Sequence, residues 1–316
     1  MTERHKARGL MNRTLVHSAA MLHYIDDLPQ TEVARRMGIS TASVSRLLSK
    51  AREDGIVQFE VKPLDAAADD ESALAEALGL KLVRVLDTAH QPALSVAVRQ
   101  LIREASLPRR PVMTIGWGRA VQNLVDHGLP TLANAVVVPS TGGMNQTQSH
   151  FQINEIVRAA AEQTGGTAHL LYAPAAPGPE LYAHLIQDPQ IAVIMELWSR
   201  IDVSITGIGD FPDTSAEGAL GFSPDQAAQV VGDIVRLYFG IDGKAILWPR
   251  QESRLGISRA QLQRVPLAIG VATGESKVDA IIGASRSGMI NTLVTDIRTA
   301  KQLKTRLAPA SGDASC

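Results

Sequence analysis

Between Gln30 and Lys50 the chain carries two short amphipathic stretches, Gln30 to Met37 and Thr41 to Glu53, separated by Gly38-Ile39-Ser40. Few arrangements satisfy that spacing. Ala34 is the small residue where a first helix must face a second, and Gly38 stands where a positive φ is sterically free. Ile39 plugs the corner, and Val44 with Leu47 form the inner face of the second helix. Ser40 or Thr41 supplies an N-cap. The register is that of a helix-turn-helix. Upstream, Leu15, Ala19, Leu22 and Ile25 predict a helix over 12–27 that ends before Pro29. Downstream, Asp54-Gly55 is a stop, and Ile56 to Val61, closed by Pro63, predicts a short strand placed as a wing.

The outward positions of the second helix are Thr41, Ala42, Ser43, Ser45, Arg46, Ser49 and Lys50, a polar and basic set suited to phosphates and base edges. Arg46 is the candidate for a base contact, because a guanidinium donates twice to guanine. Gln30, Arg35 and Lys50 fall where phosphate contacts are made, with Thr31 as a further DNA-binding candidate. The alternative is an ordinary helical hairpin with solvated charges; the joint match of Ala, Gly, Val and Leu favours double-stranded operator DNA as the partner.

A chain of 316 residues exceeds the usual single-domain size, so a second, larger unit is expected. We place a DNA-binding domain at 1–63, a linker helix at 64–80 and a larger domain at 81–316. Residues 1–62 hold 10 basic and 7 acidic side chains against 21 and 25 in the remainder, which suits a DNA-binding head on an acidic body. No stretch reaches the roughly 18 apolar residues of a membrane span, and no secretory leader is evident, so no membrane partner and a cytoplasmic location are expected. The single cysteine, Cys316, excludes a disulfide framework and a multi-cysteine zinc site, and no cofactor is expected.

Past the Ala-, Asp- and Glu-rich stretch from Asp65, which leads into Leu74, Leu78 and Gly79, short apolar runs alternate with helical patterns. Strands are predicted over Lys81 to Leu86, Val112 to Ile115, Ala135 to Val138, Ala168 to Leu171, Val203 to Ile208 and Leu267 to Val271. Several run straight into Gly- or Ser/Thr-rich turns and then a helix, the signature of an α/β body around a mostly parallel, Rossmann-like sheet.

Six segments then carry a resemblance along nearly the whole chain. They are LPQTEVARRMGISTASVSRLLSKAREDGIV at 28–57, TIGWGRAV at 114–121, PSTGGMNQ at 139–146, SITGIGD at 204–210, GDIVRLYFGIDG at 232–243, and AIGVATGESKVDAIIGASRSGMINTLVTDIRTA at 268–300. The sequence resembles the SorC family of sugar-binding transcriptional regulators. The resemblance implies an effector domain folded like the sugar-phosphate isomerase and glucosamine-phosphate deaminase group, with the effector at the carboxyl ends of parallel strands.

On that reading Ser140-Thr141-Gly142-Gly143 fits a phosphate or hydroxyl cradle at a helix N-terminus, and Gly116-Trp117-Gly118-Arg119 forms another wall. The glycines alone serve equally well to bend a strand-to-helix turn. Trp117 is either a core aromatic or a stacking surface for a sugar. Gly207 and Gly209 permit close ligand approach or tight packing. The resemblance gives Lys277, in GESK, the role of ligand anchor, ahead of Asp242 and Gln152 as weaker hydroxyl-recognition candidates. Ala120 stands where the family more often has a hydroxyl residue, and basic residues are sparse for a bisphosphate, so the expected effector is a neutral or singly phosphorylated sugar or polyol.

A reader this small recognises few base pairs, so a homo-oligomer, dimer or tetramer, is implied. The competing reading is a sugar-phosphate isomerase or deaminase with an accessory DNA domain. It lacks a His/Asp/Glu constellation near the Gly-rich turns.

Overall fold

The chain divides at Pro63 and Leu64 into two units, and the computed structural model describes residues 13–57, 65–87, 91–211, 221–249 and 251–308 of them. In the first unit, helix α1 (13–20) runs into a π turn at Met21–Ile25, followed by α2 (Gln30–Met37) and α3 (Thr41–Glu53). Asp27 and Pro29 break α1. Its packed face is centred on Val16, Ala19 and Ala20, whereas Leu15 and Ile25, expected to line it, are 46% and 69% exposed. The extra residue of the π turn rotates Ile25 away from the core.

Helices α2 and α3 close over Ala19, Val33, Ala34, Val44 and Leu48. Leu48, rather than Leu47, is the deep residue of α3, because Val44, Leu48 and Ala51 follow the i, i+4, i+7 line while Leu47 sits half-buried beside it. The strand expected over Ile56 to Val61 lies outside the described residues from position 58 onward; Ile56 and Val57 form a bend against Val16, Ala20 and Ala51.

The second unit opens with α4 (Asp65–Leu78), whose Leu74, Ala75 and Leu78 join the body core beside Leu80 and Val83. It is therefore a packed element of the body. There follow β1 (Leu82–Leu86), α5 (Gln91–Glu104), β2 (Val112–Ile115), α6 (Arg119–Asp126), β3 (Val136–Pro139), α7 (Ile153–Thr164), β4 (Thr167–Ala168), α8 (Pro179–Leu185) and α9 (Pro189–Trp198). The chain then forms β5 (Val203–Gly207), β6 (Gly209–Asp210), α10 (Pro224–Gln229), β7 (Gly232–Ile234), β8 (Leu237–Phe239), α11 (Arg259–Leu262), β9 (Leu267–Val271), α12 (Val278–Ser287), β10 (Thr292–Asp296) and α13 (Ile297–Leu307).

Seven strands form one parallel sheet in the order β1-β10-β9-β5-β2-β3-β4. Neighbouring residues alternate between two apolar clusters: Leu293 and Ala268 belong to one, Val294 and Ile269 to the other. That alternation is why both faces of the sheet are covered. Strands β6, β7 and β8 leave it to form a small antiparallel sheet, seated on α12 where Gly232 meets Ala280 and Gly283 meets Phe239.

Candidate DNA-reading helix and effector cleft

In the first unit the turn between α2 and α3 passes through Gly38 at φ 66°. Ser40 decides the cap: its hydroxyl accepts from the Ser43 N–H at 3.2 Å and lies 2.9 Å from the Ser43 hydroxyl. Ser43 is thereby turned into the cap. Thr41, Ser45, Arg46 and Lys50 stand exposed on α3, as do Thr31 and Arg35 on α2, with Gln30 half-buried at its start. Arg35 is held by Glu32 at 2.5 Å, and Lys50 by Asp54 at 3.3 Å. The paired guanidiniums of Arg35 and Arg36 keep the Glu32 carboxyl at about 2. Arg46 forms no ion pair among the described residues; its Nε donates only to the Ala42 carbonyl at 3.3 Å. Like Arg52 further along α3, which donates to the Ser49 hydroxyl, it is a guanidinium that no carboxylate neutralises among the described residues.

In the second unit β2 is the switch point of the sheet: the chain winds outward through β3 and β4, then returns to β5 on the other side of β2. Crevices at the carboxyl ends of such strands are the ligand sites of open α/β sheets. Four of the sequence's Gly-bearing segments converge on this edge, following β2, β3, β5 and β9.

After β2, the Gly116 N–H donates to the Ile205 carbonyl and the Gly118 N–H to the His150 carbonyl, both at 2.8 Å. Trp117 is half-buried against Phe151, with ring centres 5.2 Å apart, and its indole N–H is buried with no hydrogen-bond partner among the described residues. Arg119 begins α6, exposed. Burial, aided by the Arg119 charge, holds the nearby His150 below its ordinary pKa.

After β3, Ser140 and Thr141 are fully buried. The Thr141 hydroxyl donates to the Leu255 carbonyl at 3.0 Å, while the Ser140 hydroxyl has no partner among the described residues. Gly142 donates to Leu255 and Gly143 to Ala173. These two backbone donors, expected to face a ligand, are engaged within the fold. A side chain at Gly142 would meet the backbone of Ala173 and Pro174, so the close approach itself requires glycine. Gln152 precedes α7 and donates to the Gln146 carbonyl, closing its own loop.

After β5, Gly207 leads into β6, where Gly209 lies directly beneath the Asp233 carboxylate. Asp210 then meets Lys277, Nζ to Oδ1 at 2.6 Å. Burial pushes the Asp210 carboxyl up, but the Lys277 ammonium and the Ser276 hydroxyl outweigh it and hold the group below its ordinary value. Lys277 therefore reaches the edge already paired. Asp242 is not brought there. It closes its own turn by accepting from the Lys244 N–H at 3.0 Å, and the adjoining Gly243 abuts Arg286 and Ser287 at the far end of α12 from Lys277.

Asp210, Asp233 and Arg236 were not singled out in the sequence. The hairpin β7–β8 that brings two of them to the edge is too short to show a strand period. Among the described residues no group of His, Cys, Asp and Glu is arranged to hold a metal ion, and no helix is long and apolar enough to cross a membrane.

Residues 62–304 match the family model described as "Putative sugar-binding domain", and residues 19–54 match sigma-70 region 4. The sorbitol operon regulator of Klebsiella pneumoniae is 30% identical over 306 residues, covering 92% of this chain and 97% of that protein. The chain belongs to the SorC family of sugar-binding transcriptional regulators. The crystal structure of full-length SorC from Klebsiella pneumoniae superposes with a TM-score of 0.70 at 28% identity, covering 92% of this chain and 98% of that one. The transcriptional regulator LsrR of Enterobacter sp. (strain 638) is 26% identical over 310 residues, covering 93% of each. The chain is accordingly a regulator with a DNA-binding region and a sugar-binding domain, rather than an isomerase or deaminase.

Proposed function

We propose that this SorC-family chain controls a sugar or polyol catabolic operon, its affinity for operator DNA set by a small sugar-like effector bound at the carboxyl edge of the seven-stranded sheet. The observation that carries the reading is the convergence of the segments after β2, β3, β5 and β9 on one edge, in a chain whose other unit exposes Thr41, Ser45, Arg46 and Lys50 on a capped helix. Trp117 offers an apolar face for sugar C–H groups and a buried indole N–H to an effector hydroxyl. The loops of Gly116 and Gly207 admit the ligand backbone, and the Lys277–Asp210 pair presents one donor and one acceptor to vicinal hydroxyls.

The protein acts in the cytoplasm as a homo-oligomer, dimer or tetramer, because half-sites about 34–36 Å apart demand two readers at fixed separation. Effector binding favours one arrangement of the readers, with a coupling on the order of 1–3 kcal/mol. A thermal-shift screen of sugars, polyols and their monophosphates tests this. Binders are expected to raise the melting temperature of the body and to change affinity for the chain's own promoter region; a screen in which no compound does either rejects the reading.

A further inference from the structure

Between α8, α9, β8 and the segment 251–261 the body holds a second cavity, about 320 Å³ in volume. Tyr182, Met195, Trp198 and Leu237 make its apolar side, and Gln251, Arg254 and Arg259 stand on its polar one. None of the residues assigned to the carboxyl-edge cleft lines it. A concave, largely apolar recess with a few convergent polar groups is the usual form of a small-molecule site.

The polar side is chemically incomplete. Both guanidiniums are engaged by main-chain carbonyls: Arg254 donates to Val235 at 3.3 Å and to Ile257, Arg259 to Ser287 at 3.0 Å and to Gly243. Neither forms an ion pair with a carboxylate among the described residues. Burial, with the Arg236 charge adding to it, pulls the pKa of Arg254 down to about 10, and burial lowers that of Arg259, as happens to a cation without a counterion. Among the described residues Arg259 Nη1 is buried with no acceptor, and Gln251 Oε1 is buried with no donor. A donor and an acceptor left open on residues that line one cavity call for a ligand that supplies their complements.

We propose that this cavity is a second ligand site, separate from the effector cleft, for a small anion with a compact apolar body. The charged head, a carboxylate or a phosphate ester, meets Arg259 beside Arg254, and the body lies against Met195, Trp198 and Leu237. The site goes beyond the effector-controlled reading and stands without it. One wall is nevertheless common to both sites. The Ile257 N–H donates to the Ser140 carbonyl at 2.8 Å and the Thr141 hydroxyl to the Leu255 carbonyl at 3.0 Å. A side chain at Gly256 would meet the Arg254 guanidinium as well as Ser140 and Thr141. Trp198 completes the wall, its indole N–H donating to the Pro139 carbonyl at 2.8 Å. An occupant therefore bears on the Ser140-Thr141 loop from behind.

The test is titration calorimetry of the full chain with benzoate, phenyl phosphate and the neutral benzyl alcohol. At least one of the two anions is expected to bind about tenfold or more tighter than benzyl alcohol, and the two arms tell which head group is preferred. Met195→Trp, which fills the cavity, and Arg259→Gln should each weaken that anion about tenfold or more, while Arg259→Lys keeps part of the affinity. Met195→Phe makes the same test with a smaller plug should Met195→Trp not fold. Trp117→Ala, in the effector cleft, should leave binding of the anion unchanged. Benzyl alcohol that binds as tightly as the anions would overturn the proposal. So would a folded Met195 variant with wild-type affinity, binding that is lost in Trp117→Ala instead, or no binding of either anion at millimolar concentration. None of these outcomes touches the effector-controlled reading, which stands or falls on the sugar and polyol screen.

Discussion

The two units are built at different ranges along the chain. The reader closes its core with side chains from α1, α2 and α3, within a few dozen residues of one another, and its functional surface is one helix. The body gathers its cleft from Gly116 to Lys277, and its contacts, such as Lys277 to Asp210 and Thr141 to Leu255, join residues far apart in sequence. A site on one helix is written in the local register; a site at a sheet edge is written in the strand order. The reader should accordingly be fragile and separable, and the body robust but intolerant of change where backbones touch.

The comparison breaks most sharply at Leu48, the large buried side chain of α3. Leu48→Ala is expected to cost about 2–5 kcal/mol in the reader. Calorimetry should show a lowered first transition and lost DNA affinity, while the body's transition and its effector binding remain. A single cooperative loss of both would show that the units are not separable.

In the body the matching lesion is Gly142→Ala, which drives a Cβ into the Ala173 and Pro174 backbone. Overpacking there should cost about 1–3 kcal/mol, read as a lower melting temperature of the body with DNA affinity in the absence of effector unchanged.

Next comes Arg46→Ala, which removes an exposed guanidinium without touching either core. Loss of a bidentate base contact is worth about 1–3 kcal/mol, and competition between operator variants should show relaxed preference at one position. A uniform loss across all sequences, with a shallower salt slope, would move Arg46 to phosphate. Ser40→Ala, which deletes the cap of α3, should destabilise the reader by about 1 kcal/mol.

The smallest effect belongs to the Lys277–Asp210 pair, which is only partly buried at the edge. Because the Asp210 carboxyl is held below its ordinary value, its stabilisation is complete above the ordinary carboxylate range and is lost as pH falls through the lowered one. Acid titration of the melting temperature should show a shallower acid limb in Asp210→Asn than in wild type.

How much of this was legible in the sequence follows the same division. Ala34, Gly38 and Val44 stand where the spacing placed them, and the strands Val112–Ile115 and Val203–Gly207 stand where short β-branched runs bounded by Gly predicted them. Leu47 for Leu48, and Ile25 as a core residue, show the cost of reading a helix face without its packing partner or its π turn. Of the Lys81 to Leu86 run Leu82–Leu86 forms β1, but of Ala168 to Leu171 only Ala168 lies in β4, because edge pairing with β3 ends there. Strand β10 carries no apolar run to announce it, since three of the five residues of Thr292–Asp296 are polar though all are buried, and β6–β8 carry no period because they are only two or three residues long. Lys277 is conspicuous in GESK, yet its neutralisation depends on Asp210, which arrives by a different strand. Arg236 shows no signal in GDIVRLYF until the hairpin turn gives it positive φ.

The central claim is that occupancy of the carboxyl edge governs what α3 does at a duplex. Operator affinity of the full chain, measured across a salt series with and without a saturating cleft ligand, tests it most directly. The account predicts affinity that falls log-linearly with salt and a ligand-dependent change of about 5- to 150-fold. An operator affinity identical with the cleft empty and the cleft filled would contradict it.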